Sequence, residues 1–595
     1  MITSSSLCRL FDFICGGTLS TSRTRRRSRR SRLLACTALA VAAGMLLTTP
    51  AVAADKPSPD VEVTTPKSEL PELDRAVPQP KQSERMRAAA AAPGPRFDVD
   101  GDGFTDMLVR LQDGSTYAWR STTGDFTPYA VNVDDYEEKQ KDILTPGDLD
   151  GTGGPEVLTL SPTGTLSLFQ SWGVDGTGYA TWSGTGWQIY NKVLTPGDVT
   201  GDGRPDLLAR TYGGDLYLYE GTGSVDSPFR GRVKVGGGWQ MFDQLVGMGD
   251  MNGDGIGDVV ARTPLGALYF YAGKGSATAP LATRDHIGEG WNGYNQIIAG
   301  GDWDGDGLGD LLGRTRSGDL YFYRADGTGN FDAKQHTGYG FQSVDLFAGG
   351  GAYPHFGKAS VLGMSTDGTL YWYGVKNDGQ LTARTQLSDT GGWAGAHVAY
   401  ASSLDKDGYA DLLELYDGVL YNYADTADDY LATGWGRYDL FLGPGDLNDD
   451  GKGDLLARDT SGTLYLFRGK GHGAYLSSPL EVGGGWNAYD KLVGAGDFTG
   501  DGRTDIVART PGGQLYLYRG TGVSTSPFAG KVDLGSGWQQ YNKLASPGDI
   551  DGDGRADLIA ANSRGELYRY TSYTDGRFKA RVKLGTGWNT YRDLH

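Results

Sequence analysis

The chain has 595 residues, 95 of them glycine, with 22% charged residues and a net charge of −18. That length exceeds one ordinary domain and points to several units or a repeat array. The acidic balance argues against nucleic acid and anionic membranes as partners, and glycine at about twice average usage without a three-residue period excludes collagen.

All three cysteines, Cys8, Cys15 and Cys36, lie near the N-terminus. Ser22–Arg32, "SRTRRRSRRSR", leads into the apolar run Leu33–Leu47 and then small residues at Ala51, Ala53 and Ala54. This order reads as a secretory signal peptide over residues 1–54, by the Sec or the twin-arginine route. The apolar run is too short for a comfortable membrane span, so none is expected. Its removal takes away eight arginines and one aspartate and leaves a charge of about −25. The mature chain then has no cysteine, so disulfides cannot staple it outside the cell. Secreted or cell-wall-associated localisation is the expectation. Residues 55–97, with eight prolines and "RAAAAAPGP", predict a disordered linker, either a plain spacer or a tether.

From Phe97 onward the sequence repeats with a period near 50 residues. Aspartate-rich stretches begin at Asp98, Asp148, Asp198, Asp250, Asp302, Ser403, Asp446, Asp497 and Asp549, and a worn copy near Gly351 fills the remaining gap. Each unit predicts four strands. One precedes the aspartate turn ("YNKLASP"), one follows it ("DLLAR"), a third follows a glycine turn ("DLYLYEG"), and a fourth ("RVKVG") leads to a Gly-Trp pair. Both faces of "LYLY" are mostly apolar, which suits a small sheet packed between two neighbours. The predicted fold is therefore all-β: a β-propeller of ten four-stranded blades.

Blade grouping has three solutions: two five-bladed rings over 98–347 and 348–595, one ten-bladed ring, or seven blades plus a remainder. The first is favoured because both halves end alike, in "GYGFQSVDLF" and "GTGWNTYRDL". The Asp98 loop has no aromatic strand before it and the C-terminal segment has no loop after it. The C-terminal strand is thus expected to complete an N-terminal blade and remove an open edge.

The turns follow D-x-[DNT]-G-D-G-x-x-D. Carboxylates about 4–5 Å apart repel by roughly 3–4 kcal/mol per pair at an effective dielectric near 20, so a cation is implied. An all-oxygen donor set without histidine or cysteine selects Ca²⁺ over zinc or copper, and a dense carboxylate turn suits it better than Mg²⁺. Seven loops carry the candidate ligands. They are Asp98, Asp100, Asp102 and Asp106; Asp198, Asp202 and Asp206; Asp250, Asn252, Asp254 and Asp258; and Asp302, Asp304, Asp306 and Asp310. The second half adds Asp446, Asn448, Asp450 and Asp454; Asp497, Asp501 and Asp505; and Asp549, Asp551, Asp553 and Asp557. Thr200 and Thr499 replace a carboxylate, which predicts weaker sites. The Asp148 and Ser403 copies are incomplete, and Gly349–Ser360 has lost the motif. Solvated acidic turns without metal are the alternative.

These units resemble FG-GAP/VCBS-type repeats, the calcium-loop blades of integrin α-subunit propellers and many secreted bacterial proteins. The resemblance covers residues 97–595 and implies a β-propeller with Ca²⁺ in its blade hairpins, usually serving adhesion or ligand binding. The shorter period is similar to that of five-bladed, tachylectin-like lectins in length and architecture only.

The Gly-Trp tryptophans have two readings: packing between blades, or stacking platforms for sugar rings. Trp187, Trp239, Trp291, Trp486 and Trp538 are the candidate ligand-binding residues. Arginines closing the second strand (Arg110, Arg210, Arg262, Arg314, Arg458, Arg509) are expected to pair with carboxylates at the blade surface. The histidines share no repeat position, and no catalytic motif is found in the mature chain. The expected function is a monomeric, secreted binding or adhesion module, without catalysis, for extracellular carbohydrate or a cell-surface polymer. A glycan-active hydrolase or lyase, and a scaffold for a secreted protein partner, are the alternatives.

Overall fold

The computed structural model describes residues 68–73 and 95–595, apart from 122, 133–138, 172, 352–357, 425–429, 474–475 and 495. The signal-peptide segment and most of the linker lie outside the described residues.

Ten antiparallel sheets carry the fold, nine of four strands and one of five, with no α-helix among the described residues. In eight of the ten sheets the four runs of one repeat become four strands in chain order, as in Tyr190–Gly197, Asp206–Thr211, Leu216–Tyr219 and Val233–Gly236. Leu216 and Leu218 are fully buried while Tyr217 and Tyr219 are half-buried. The two faces of this strand are therefore unequal, and only the leucine face is completely covered.

A tight turn joins the second and third strands. Gly214 there has φ 83°, and a Cβ would clash with the backbone N of Gln240 at 2.7 Å. The close approach lets Trp239 N donate to Gly214 O at 3.0 Å, which docks the Gly-Trp pair on its own sheet. A short 3-10 turn, Trp239–Met241, then leads into the next sheet.

Cores form between consecutive sheets. One joins Leu158, Leu168 and Trp187 to Val193, Leu207 and Ala209 of the following sheet. Another joins Leu208, Leu218 and Trp239 to Leu245 and Val259. First strands are neighbours: Gln244–Gly249 lies beside Tyr190–Gly197 and Gln296–Gly301, and Tyr438–Gly445 lies beside His397–Ala401 and Lys491–Gly494.

Closure differs from the expectation for the C-terminal strand. The sheet beginning at the Asp98 loop takes its missing strand from Val344–Phe347, which pairs with Met107–Leu111. The C-terminal strand Tyr591–Leu594 instead pairs with Ser360–Ser365. Each closing strand thus joins the first sheet of its own half, and no described sheet mixes 98–347 with 360–595. The boundary also shifts. Ala348 N donates to Leu108 O, Gly349 N to Ile143 O and Gly351 N to Ile297 O, so residues 348–351 stay with the first half.

Part of the linker is ordered. Glu72–Leu73 adds a fifth strand to the sheet ending in Gln335–Tyr339, and Ser68 N donates to Asp113 Oδ2 at 2.9 Å. That edge offers unpaired backbone groups, which an extended segment satisfies.

Candidate metal centres and blade seams

Each aspartate turn is built by its first carboxylate. In the Asp302 copy, Gly305 N and Asp306 N donate to Asp302 Oδ1 at 2.7 and 2.9 Å, and Gly307 N donates to Oδ2 at 2.9 Å. Gly305 and Gly307 have φ 77° and 91°, a left-handed conformation that costs glycine nothing. The same wrapping recurs at Asp98, Asp198, Asp250, Asp497 and Asp549.

The ninth-position carboxylate is a clasp. Asp310 Oδ2 accepts from Trp303 N at 3.1 Å and its Oδ1 from Ala325 N at 2.9 Å, tying the turn to the end of the third strand. Asp106, Asp206, Asp258, Asp454 and Asp505 repeat both bonds. These groups are buried, and burial pushes Asp106 and Asp258 up to about 7 and Asp206 to about 6, while Asp310 is raised well above its usual range. The cause is desolvation of the charged form, which the backbone donors only partly offset.

Among the described residues, three acidic side chains converge within 4.8 Å in five places: Asp98, Asp100 and Asp106; Asp148, Asp150 and Glu156; Asp302, Asp304 and Asp306; Asp405, Asp407 and Asp411; and Asp549, Asp551 and Asp553. The incomplete Asp148 and Ser403 copies therefore assemble acidic triads. The Asp198, Asp250, Asp446 and Asp497 copies do not, because their third position is Thr200, Asn252, Asn448 or Thr499. Glu156 supplies the clasp in the Asp148 copy, with Leu149 N donating to its Oε2 at 2.6 Å.

The donor set fits a hard cation best at the Asp549 turn. Asp551 and Asp557 are fully buried, and Asp551 Oδ1 and Asp557 Oδ1 have no hydrogen-bond partner among the described residues. Burial, then the neighbouring carboxylates, push Asp551 up to about 7. Asp100 Oδ1 and Asp102 Oδ2 of the first turn are likewise buried without a partner among the described residues.

Arginines supply part of the neutralisation, which the pattern of the turns did not reveal. Arg324 reaches Asp304 Oδ2 at 2.8 Å and Asp306 Oδ2 at 2.7 Å. Arg316, from the first half, reaches Asp551 Oδ2 at 3.2 Å and Asp553 Oδ2 at 3.3 Å in the second. Arg324 directly follows the third strand, as Arg468 and Arg519 do, and that spacing is the signal the sequence held for it.

Of the two readings of the Gly-Trp tryptophans, burial agrees with packing and not with exposed platforms. Trp187, Trp239, Trp291, Trp486 and Trp538 are only 6–8% exposed. Trp187 stacks on Tyr219 at 4.5 Å between ring centroids, and Trp239, Trp291, Trp486 and Trp538 pack on Tyr271, Tyr323, Tyr518 and Tyr570 at 4.5–4.8 Å. A large indole following a tight turn is buried by the sheet that succeeds it.

Four second-strand arginines pair with carboxylates as expected, Arg110 with Asp345, Arg262 with Asp243, Arg458 with Asp439 and Arg509 with Asp490, but Arg210 and Arg314 face Asn191 and Asn295, and most of the six are buried in the seam and not at the blade surface. Arg210 is fully buried; its Nε donates to Asn191 Oδ1 at 3.0 Å, and its Nη1 to Trp239 O and Phe242 O at 3.0 and 2.8 Å. Arg262, Arg314, Arg458 and Arg509 cross to the next sheet in the same way. Trp239 O also accepts from Phe242 N at 3.2 Å inside the 3-10 turn, so the guanidinium adds a second donor there and supplies one to Phe242 O.

The half-buried tyrosine face forms a repeated seam surface. Arg232 lies over Tyr217 at 4.5 Å, Arg284 over Tyr269 at 4.5 Å, Lys334 over Tyr321 at 4.5 Å and Arg384 over Tyr371 at 4.8 Å. Lys531 over Tyr516 at 4.1 Å and Arg581 over Tyr568 at 4.3 Å complete six equivalent cation–ring pairs. Paired hydroxyls, as in Tyr190–Tyr219 at 2.6 Å, sit beside them.

Repeated four-stranded sheets, most of them with an aspartate turn and a buried Gly-Trp pair, define a β-propeller protein. The chain is an FG-GAP-like repeat protein: the FG-GAP-like repeat family matches residues 148–209, 198–261, 250–313, 446–508 and 497–560. No curated protein matches the chain. Among solved structures it is similar to a lectin from Agrocybe aegerita that recognises non-reducing terminal N-acetylglucosamine, with 15% identity and TM-score 0.28 over 78% of this chain and 97% of that one. It is also similar to the BP39L lectin from Burkholderia pseudomallei, with 14% identity and TM-score 0.19 over 67% and 99%. Likeness at that level carries no argument about ligands.

Proposed function

We propose that the chain is a secreted, calcium-stabilised propeller protein that binds extracellular carbohydrate or a cell-surface polymer through many equivalent sites. The carrying observation is the set of six seam surfaces, each a tyrosine ring with a cation over its face, five of them with a pair of tyrosine hydroxyls beside it. An amphipathic ring with a polar tip suits a ligand that is apolar on its C–H faces and polar at its edges. Repetition at fixed spacing suits a polymer, since linked weak contacts multiply affinity. Independent closure of each half by its own last strand supports two five-bladed rings over the predicted units.

Calcium fits the turns as a stabiliser. The Asp98, Asp302 and Asp549 turns would hold it through their converging carboxylates, and the bound cation would neutralise side chains that burial otherwise pushes toward protonation. At the Asp549 turn the orphaned oxygens of Asp551 and Asp557 support this reading.

The test is retention of the full chain on insoluble polysaccharides, with calcium and with chelator. Replacing Arg232, Arg284, Lys334, Arg384, Lys531 and Arg581 by alanine together should abolish retention while the far-ultraviolet spectrum stays unchanged. Retention that survives this replacement would remove the seams as the binding surface. Turnover of a glycan by the wild-type chain would instead establish the enzymatic alternative.

A further inference from the structure

The two halves meet asymmetrically. Aspartate turns of the second half meet the starts of first strands and a turn between second and third strands of the first half. Asn191 Nδ2 donates to Asp501 O at 3.2 Å, Asn295 Nδ2 to Asp551 O at 3.0 Å, and Arg503 lies over the Tyr212 ring at 5.2 Å. A cavity of about 140 Å³ remains between them, lined by Lys141 and Tyr212 from the first half and by Lys358, Asp446, Asp497 and Arg503 from the second.

Lys358 is the unexplained group. It is 5% exposed, and its ammonium has no hydrogen-bond or ion-pair partner among the described residues. Its Nζ lies 5.3 Å from the centroid of the Tyr400 ring, and the buried His595 imidazole is close enough to be repelled by it. An ammonium carries three donors, and burying it unpaired is costly. Burial pushes Lys358 down to about 7.

The neighbouring charges are already engaged. Arg503 pairs with Asp449, which also lines the cavity, at 3.0 Å. Lys141 Nζ lies 3.5 Å from Tyr212 OH. Asp446 and Asp497 accept from backbone N–H groups of their own turns, as from Gly451 N and Gly500 N at 2.6 Å. Lys452 adds another positive charge to the lining. The lining thus sets four cationic side chains, Lys141, Lys358, Lys452 and Arg503, against three carboxylates, Asp446, Asp449 and Asp497, around a space that admits several waters.

We propose that this cavity binds a small oxyanion, of the size of sulfate, phosphate or a short carboxylate, held by the Lys358 ammonium with Lys141 and Lys452 contributing charge. An oxyanion supplies both the acceptors and the negative charge that Lys358 lacks, whereas water supplies only the acceptors. The proposal is independent of the carbohydrate reading and does not require calcium.

The test uses the full chain. Sodium sulfate and sodium phosphate are titrated at constant ionic strength while the melting temperature is followed, and crystals are soaked in selenate. A saturable rise in melting temperature is expected for the wild type, with an anomalous selenium peak within hydrogen-bond reach of Lys358 Nζ. Lys358→Met should weaken the apparent affinity about tenfold or more, and Lys358→Arg should retain most of it. If Lys358→Met does not fold, Lys141→Met and the selenate peak decide. Water alone beside Lys358, or a non-saturating response identical in the wild type and the Lys141 variant, overturns the proposal.

Discussion

Arg262 offers the sharpest test of how neighbouring blades are joined. Its Nη2 lies 2.7 Å from Asp243 Oδ2 and its Nε 3.3 Å from Oδ1, while Nη1 donates to Trp291 O at 3.1 Å and Tyr294 O at 2.7 Å. Its side chain is 3% exposed and that of Asp243 is 9% exposed. Arg262→Met keeps most of the volume and removes every donor. Tyr294 O then loses its arginine donor at about 1–3 kcal/mol while Trp291 O keeps the bond from Tyr294 N, and a nearly buried carboxylate is left alone. Breaking a buried pair from one side costs about 3–5 kcal/mol, so a loss near 4 kcal/mol is expected. Urea unfolding followed by tryptophan fluorescence reads it directly, because the Trp291 indole belongs to the same seam. Adding Asp243→Asn to the Met variant should recover about 1 kcal/mol by removing the stranded charge. Arg210→Met should cost less than Arg262→Met, because Arg210 faces the neutral Asn191. A loss below about 1 kcal/mol in Arg262→Met would refute the clasp, since no set of buried donors that matters could be removed so cheaply.

Further tests address the turns and the closure. Asp106 and Asp258 are raised from 3.8 to about 7 and Asp206 to about 6, so the folded state holds these protons more tightly than the unfolded chain. Their contribution in chelator is therefore fully present below pH 3.8 and is lost as pH rises through 6 to 7, and saturating calcium should flatten this dependence. Melting temperatures from pH 4 to 8 with and without calcium check it; a chelated protein that these groups stabilise on alkalinisation would contradict the sign. Deleting Tyr591–His595 opens the Ser360–Gly374 sheet, so limited proteolysis should cut the second half first while fragments of 95–351 persist. Early cutting near Met107–Trp119 instead would contradict the separate closure of the halves. Asn295→Asp replaces the donor to Asp551 O by an acceptor, and should increase proteolytic access between the halves without unfolding either; unchanged access would show that this contact does not hold them.

Much of the site was legible because its signals are local. The first carboxylate and the glycines of "DWDGDGLGD" act within a few residues of one another, so spacing alone predicted a turn that gathers oxygens. The double duty of Asp310 was not legible, since Ala325 N lies fifteen residues away across a strand. Arg324 escaped for the same reason, and Arg316 more so, because its partners Asp551 and Asp553 lie in the other half. The tryptophans stayed open between packing and platform because a Gly-Trp pair says nothing about which tyrosine will cover it.

The amino-acid sequence by itself determined the period, the four strands of each unit, the aspartate turns and the positions where copies have decayed. These depend on hydrophobic alternation and turn chemistry over short spans. Only the tertiary structure decided which strand closes which sheet, that Tyr591–Leu594 returns to Ser360–Ser365, and that Arg110 reaches Asp345 across 235 residues. Near-identical repeats present near-identical edges, so local pattern cannot choose among them; the choice belongs to packing between distant parts of the chain. The same packing buries Lys358 beside a cavity that no repeat motif encodes.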